Sequence, residues 1–246
     1  MATLSTEIIS FEQALANLLA TYNPGETGSG TILPERLTLI NLVKAKLDEI
    51  IPEGEGVQFS VEGDINISDP LNLLINAILN EAASKTLLDA PLHVLDPVKS
   101  DVATGTADSD DAKIGYIPLA SNFLRFVSLK MADWKREVTQ PITTKDKRYS
   151  VQRNKYIRGG VAKPVAVFSY RTITSEQKRV IEYYSVDSSH AIEWFYYIQE
   201  TNAEDVQSNL VPSLSWTAAG IIFQITERSD LAKLAFEQEI INFPNT

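Results

Sequence analysis

The sequence predicts an α+β protein: a helical bundle built from N- and C-terminal helices, with an antiparallel β-sandwich domain inserted between them. Three observations predict it. Apolar residues recur at helical spacing before residue 90 and again after residue 201. Between these regions apolar and polar positions alternate in strand fashion, and aromatics gather. The order is helices, strands, helices, and bringing the last helices back to the first buries every apolar stripe. The expected parts are residues 1–90, 91–200 and 201–246.

Each element has its own signal. Ile8, Phe11, Leu15, Leu18 and Tyr22 form a helical stripe over 7–22, ended by Asn23-Pro24-Gly25. Pro34 suits the first turn of a second helix, whose inner face is Leu37, Ile40, Val43, Leu47 and Ile50. Residues 53–67 read as a polar loop. Ser68-Asp69-Pro70 opens a third helix with Leu71, Leu74, Ile75, Ile78, Leu79 and Ala82 inside, ending near Thr86. Residues 98–104 and 112–117 are expected to pair across a loop at 105–111. Phe123, Arg125, Val127 and Leu129 face one way in a strand, and Leu124, Phe126, Ser128 and Lys130 the other. Val165 to Phe168, Val180 to Val186 and Ile192 to Ile198 are further strands. Asp205 to Leu210 reads as a short helical turn. Pro212 starts a helix through Ile225. Ser229 caps the last helix, with Leu231, Leu234, Ala235, Gln238 and Ile241 inward.

Composition narrows the chemistry. The 246 residues contain no cysteine, which excludes disulfides, thiolate catalysis and Cys-ligated zinc. No run of about 18 apolar residues suggests a membrane span, and no secretory signal is read at the N-terminus. His93 and His190 stand at no metal-ligand spacing. Asp108-Ser109-Asp110-Asp111 lacks the fixed glycine and distal glutamate of an EF-hand loop and reads as a solvated hairpin tip. Phosphate-loop, dinucleotide and Gly-x-Ser-x-Gly fingerprints are absent. The expectation is a non-enzymatic protein with no catalytic residue, no cofactor and no metal.

Charge is unevenly spread. Residues 125–179 hold 14 Lys/Arg against 4 Asp/Glu, a net of +10, within a chain of net −10. Such asymmetry suits a surface that meets an acidic partner, including the acidic part of a second copy. Two other readings stay open: a solvated basic sheet with no partner, and a nucleic-acid-binding accessory protein. In the latter, these cations neutralise phosphates while Tyr149 and Tyr156 stack bases. The whole-chain pI near 4.8 argues against binding free DNA.

The stretch 117–168 carries a resemblance. Pro118-Leu119-Ala120-Ser121-Asn122-Phe123-Leu124-Arg125-Phe126 is followed by Trp134 with Arg136. Then come Tyr149, Gln152, Asn154, Tyr156, Arg158-Gly159 and Lys163-Pro164. This pattern resembles the portal-adaptor, or head-to-tail connector, ring proteins of short-tailed bacteriophages, the tail tubular protein A type, and most of all the ring proteins of crAss-like phages. Ala120-Ser121-Asn122 stands where that family often has an acidic residue, and Gly160 where threonine is common. The resemblance implies a helical bundle interrupted by a β domain. It also implies a dodecameric ring beneath the portal protein that extends the DNA channel towards further tail proteins. A virion protein made in the host cytoplasm, with no membrane partner, is what this implies. On this reading Phe123, Trp134, Tyr149, Gln152, Asn154, Tyr156, Gly159 and Pro164 are structural. Arg125, Arg136, Arg153, Lys155 and Arg158 are the candidates for subunit or portal contacts, because arginine pairs bidentately with carboxylates.

Overall fold

The protein is described by a computed structural model covering residues 34–51, 70–187 and 189–244. The helix expected over 7–22, the loop over 53–67 and the Ser68-Asp69 cap lie outside the described residues. Five α-helices and two β-sheets make the described fold α+β. It separates into two compact units, one from residues up to 94 together with those from 201 onward, the other from Leu95 to Glu200.

The first unit is helical. It contains α1 (Pro34–Ile50) and α2 (Pro70–Asp89), and after two 3-10 turns at Ala203–Asp205 and Ser208–Leu210, α4 (Val211–Ile225) and α5 (Ser229–Ile241). Ile40, Val43 and Leu47 of α1 are fully buried, as the stripe predicts, and all six expected positions of α2 are buried. The second of these helices runs one turn past Thr86, because Leu87 still has core to bury. Every residue from Ser213 to Phe223 is buried, so α4 is enclosed on all sides, as a helix apolar all round must be. Arg36 ties the unit together by donating to Asn76 Oδ1 at 2.5 Å, to the Asn76 carbonyl at 3.0 Å and to Glu204 at 2.8 Å.

The last helix departs from expectation. Its inner face is Leu231, Ala232, Ala235 and Glu239, while Leu234 and Ile241 are exposed. Small residues decide the rotation. A Cβ on Gly220 would lie 2.6 Å from the Phe236 ring, so this glycine makes room for that ring. Ser229 is the first helical residue and makes no cap; Arg228 holds the cap position.

The second unit contains β1 (Val98–Lys99), β2 (Thr106–Ala107), β3 (Ile114–Pro118), β4 (Phe123–Met131), β5 (Ile142–Thr143), α3 (Lys147–Arg153), β6 (Val165–Ile173), β7 (Glu176–Tyr184) and β8 (Ile192–Gln199). One sheet has the order β1-β8-β4 and the other β2-β3-β7-β6-β5. All pairings are antiparallel except β5 with β6. Both sheets contribute to one apolar cluster, including Ile117, Phe123, Phe126, Trp134, Ile181 and Phe195. The opposite face of the five-stranded sheet buries Ile114, Ile142, Val167 and Tyr184 beneath Tyr149 of α3.

Two strand expectations fail. Residues 98–99 pair with β8 rather than with 112–117, and the hairpin partner of β3 is Thr106–Ala107. The alternation expected in β4 is broken by register shifts between Phe123 and Arg125 and between Phe126 and Ser128. Each extra residue at a bulge changes which side chains face inward. Phe123, Phe126, Leu129 and Met131 therefore share the core, although period two separates Phe123 from Phe126.

Candidate interaction surface

Most of the residues singled out by the sequence lie in the segment from Asp146 to Pro164, with Phe123, Arg125, Trp134 and Arg136 in or just after β4. Asp146 caps α3 by accepting from the Arg148 N–H at 2.8 Å, and the Arg148 side chain with that N–H holds its carboxyl at about 2. Tyr149 packs inward against the Val167 and Tyr184 cluster, and the Arg153 guanidinium lies 5.1 Å from its ring centre. Gln152 is buried. Pro164 is also buried, at the entry to β6.

After the helix, Asn154 turns the chain. Its Oδ1 accepts from the Tyr156 N–H at 3.0 Å, and its carbonyl accepts from the N–H groups of Ile157 and Arg158. The turn sends successive side chains in opposite directions. Tyr156, expected as a structural residue, is instead 84% exposed, because the turn at Asn154 carries it outward, and Ile157 is 59% exposed. The Arg158 side chain is only 5% exposed and is ion-paired with Asp111. Gly159 follows because a Cβ there would stand 2.7 Å from Lys163 Cβ and 2.8 Å from the Lys163 carbonyl oxygen. Gly160 has a φ of 66° and closes the turn in which its carbonyl accepts from the Lys163 N–H at 3.0 Å. The Lys135 N–H donates to the Val161 carbonyl at 3.1 Å, pinning the loop to the segment that carries Trp134 and Arg136. Tyr156 and Ile157 thus stand on a loop fixed at three points.

A first prediction follows from this packing. Gly159→Ala is expected to lower stability by about 1–3 kcal/mol, as an overpacked site does, and to release the 154–163 loop. Amide exchange at Arg158 and Lys163 checks it; unchanged protection of both would refute the pinning.

The sequence-predicted contact residues do not share one situation. Arg136 is exposed and has no ion-pair partner among the described residues. The same holds for Lys135 and Lys163, which the hydrogen bond between Lys135 and Val161 brings into its neighbourhood. Lys155 is exposed, with its ammonium 5.2 Å from the Tyr156 ring centre. Arg125 is half-buried in β4. Arg153 is directed at Tyr149 and Tyr184. Arg158 faces inward, so it holds the fold rather than a neighbour.

The basic stretch is also less basic in three dimensions than in sequence. The second unit, residues 95–200, counts 16 Lys/Arg and 13 Asp/Glu, a net of +3. Acidic groups from outside 125–179 fold onto it. Arg171 pairs with both Asp108 at 2.6 Å and Glu182 at 2.9 Å, and Lys130 with Glu193 at 2.7 Å. The tip at 108–111 is therefore not merely solvated, since two of its carboxylates hold arginines. The helical unit, residues 1–94 and 201–246, counts 6 basic and 19 acidic residues, a net of −13.

Sequence reasoning missed Ile157 and Lys163 as surface groups, and counted Lys135 only among the cations of a nucleic-acid reading. The available signal was Gly159-Gly160, a turn that returns Lys163 towards the strand before it. Among the described residues no three His, Asp or Glu side chains converge to hold a metal ion, and no helix is long and apolar enough to cross a membrane. No protein-family model matches the chain, and no curated protein matches it.

Proposed function

We propose that this chain is a structural virion protein that assembles into a ring between portal and tail and extends the DNA channel. Its fold on this reading is a helical bundle with an inserted β-sandwich. The motif over 117–168 supports it, as does the gathering of helices from both chain ends into one unit. One observation carries the assembly reading: a loop held at three points displays Tyr156, with the Lys155 ammonium against its ring, and Ile157, on a unit whose exposed cations Lys135, Arg136 and Lys163 have no ion-pair partner among the described residues. Fixed, exposed aromatic and aliphatic side chains lose little freedom on binding and serve as interface anchors. The acidic helical unit of a neighbouring copy, or the portal, is the complementary surface. A ring repeats one heterologous contact, so each copy needs two different faces.

The test reverses charge where reversal does not disturb the fold. Arg136→Glu with Lys163→Glu is expected to change monomer stability by less than about 0.5 kcal/mol, and to exclude the protein from assembled particles. Normal occupancy in particles would refute charge-guided assembly. The exposed Tyr156 beside Lys155 keeps a second reading in play, a nucleic-acid contact. Tight DNA binding by the free protein, weakening steeply as salt rises, would favour that reading instead.

A further inference from the structure

The last helix meets the bundle around a buried acid. Glu239 is 2% exposed and lies on the inner face of α5 with Leu231, Ala232 and Ala235. Among the described residues its Oε1 has no hydrogen-bond partner. The hydroxyl beside it belongs to Thr217 of α4. That hydroxyl donates its one proton to the Ser213 carbonyl at 2.9 Å, and its oxygen also meets Thr86 Oγ1 of α2 at 2.8 Å. Thr217 therefore offers Glu239 a lone pair, which a carboxylic O–H can use and a carboxylate cannot. It can donate to a carboxylate only by giving up its bond to the Ser213 carbonyl.

The charges around Glu239 supply no dedicated partner. α4 contains no charged residue. α2 brings Lys85 and Asp89, but these pair with each other at 2.7 Å and act on Glu239 in opposite senses. Among the described residues no charge of α1 acts on it, and Asp230, Lys233 and Glu237 of α5 itself are exposed. Burial pushes the Glu239 carboxyl above its ordinary value, further than Thr217 and Lys85 draw it down. The outer side of α5 adds no hold among the described residues, since Leu234, Ile240 and Ile241 are all exposed. Only Thr226, Glu227 and Arg228 join the helix to α4, with Glu227 turning the chain at a φ of 61°.

We infer that α5 is a pH-sensitive latch: Glu239 is buried as the neutral acid, and loss of its proton weakens the hold of α5 on α4, so that this helix opens ahead of the rest of the bundle. The sign follows from linkage. An acid raised on burial favours the closed latch while it is protonated. That preference fades as pH climbs from the open value of about 4.3 through the higher closed one. Opening returns the carboxylate to water and uncovers Leu231 and Ala235, while α4 keeps its packing on α1 and α2. The latch goes beyond the ring reading and does not depend on it.

Hydrogen exchange on the full chain, corrected for intrinsic rates, tests this at about pH 5 and about pH 8, just above and well above the ordinary glutamate value. Protection over residues 231–239 is expected to fall severalfold between the two, while residues 214–222 of α4 keep theirs. In Glu239→Gln the protection of α5 should be the same at both. Carbon-13 titration of the wild-type carboxyls should place the Glu239 midpoint above that of exposed Glu237. Should Glu239→Gln fail to fold, this titration and the wild-type exchange decide. The inference is overturned if Glu239 titrates with Glu237 or below it, or if α5 keeps its protection at the higher pH. It is equally overturned if the fall persists in Glu239→Gln, or if α4 loses protection in step with α5.

Discussion

Trp134→Ala is expected to destabilise the β unit by about 3–5 kcal/mol, the range for deleting a large buried aromatic. Trp134 is 2% exposed and sits in the cluster to which both sheets contribute, with Phe126, Leu129 and Phe195. Its N–H donates to the Met131 carbonyl at 3.0 Å, fixing the turn that delivers Lys135 and Arg136 to the surface. Among the described residues the indole Nε1 has no hydrogen-bond partner, so the ring contributes through packing. Trp134→Phe keeps most of that packing and removes an unsatisfied donor, and should cost well under half as much. Denaturant unfolding of the two variants checks both parts. A loss below about 1 kcal/mol for alanine would contradict burial of this ring.

Arg158→Met is expected to cost about 1.5–3 kcal/mol, the range for losing a hydrogen bond to a charged group, because the partly exposed Asp111 carboxylate loses its partner and regains water only in part. Arg158→Glu should prevent folding of the unit, since it sets two carboxylates together. Arg158 is thus unsuited to testing an interface by charge reversal, unlike Arg136. The pair also sets a pH dependence. Burial alone would raise the Asp111 carboxyl; the Lys113 N–H and the Arg158 guanidinium outweigh it and lower the carboxyl below its usual value. Asp108 is lowered in the same way by the Asp110 N–H and Arg171. A carboxyl lowered on folding contributes stability that is present above its unfolded value of about 3.9 and fades as pH falls through its folded value. Stability should therefore hold at neutral pH and decline below about pH 4, with a shallower decline in Asp111→Asn. Unfolding midpoints across an acid series test this; parallel curves for the two proteins would refute it.

Local periodicity located α1, α2, α4 and the strands β4, β6, β7 and β8, because amphipathic spacing is a property of a single segment. Asn154 and Gly159, named as structural residues, both serve turns, Asn154 by accepting from the Tyr156 N–H and Gly159 by leaving no room for a Cβ. The absence of cysteine excluded thiolate chemistry without any structure.

Three features needed the tertiary structure. Bulges in β4 arise from pairing with β8, so no count along one strand foretells that Phe123 and Phe126 share a core. The rotation of α5 follows from Phe236 fitting over Gly220, a contact between two helices. The charge of 125–179 reads as +10 along the chain, yet Asp108, Asp111, Glu182 and Glu193 neutralise much of it from elsewhere in the sequence. Ion pairing depends on distance in space and falls away over about 10 Å in salt. Sequence therefore determined which residue types this surface has available, and only folding decided which of them, Arg136 and Lys163 rather than Arg158, face outward.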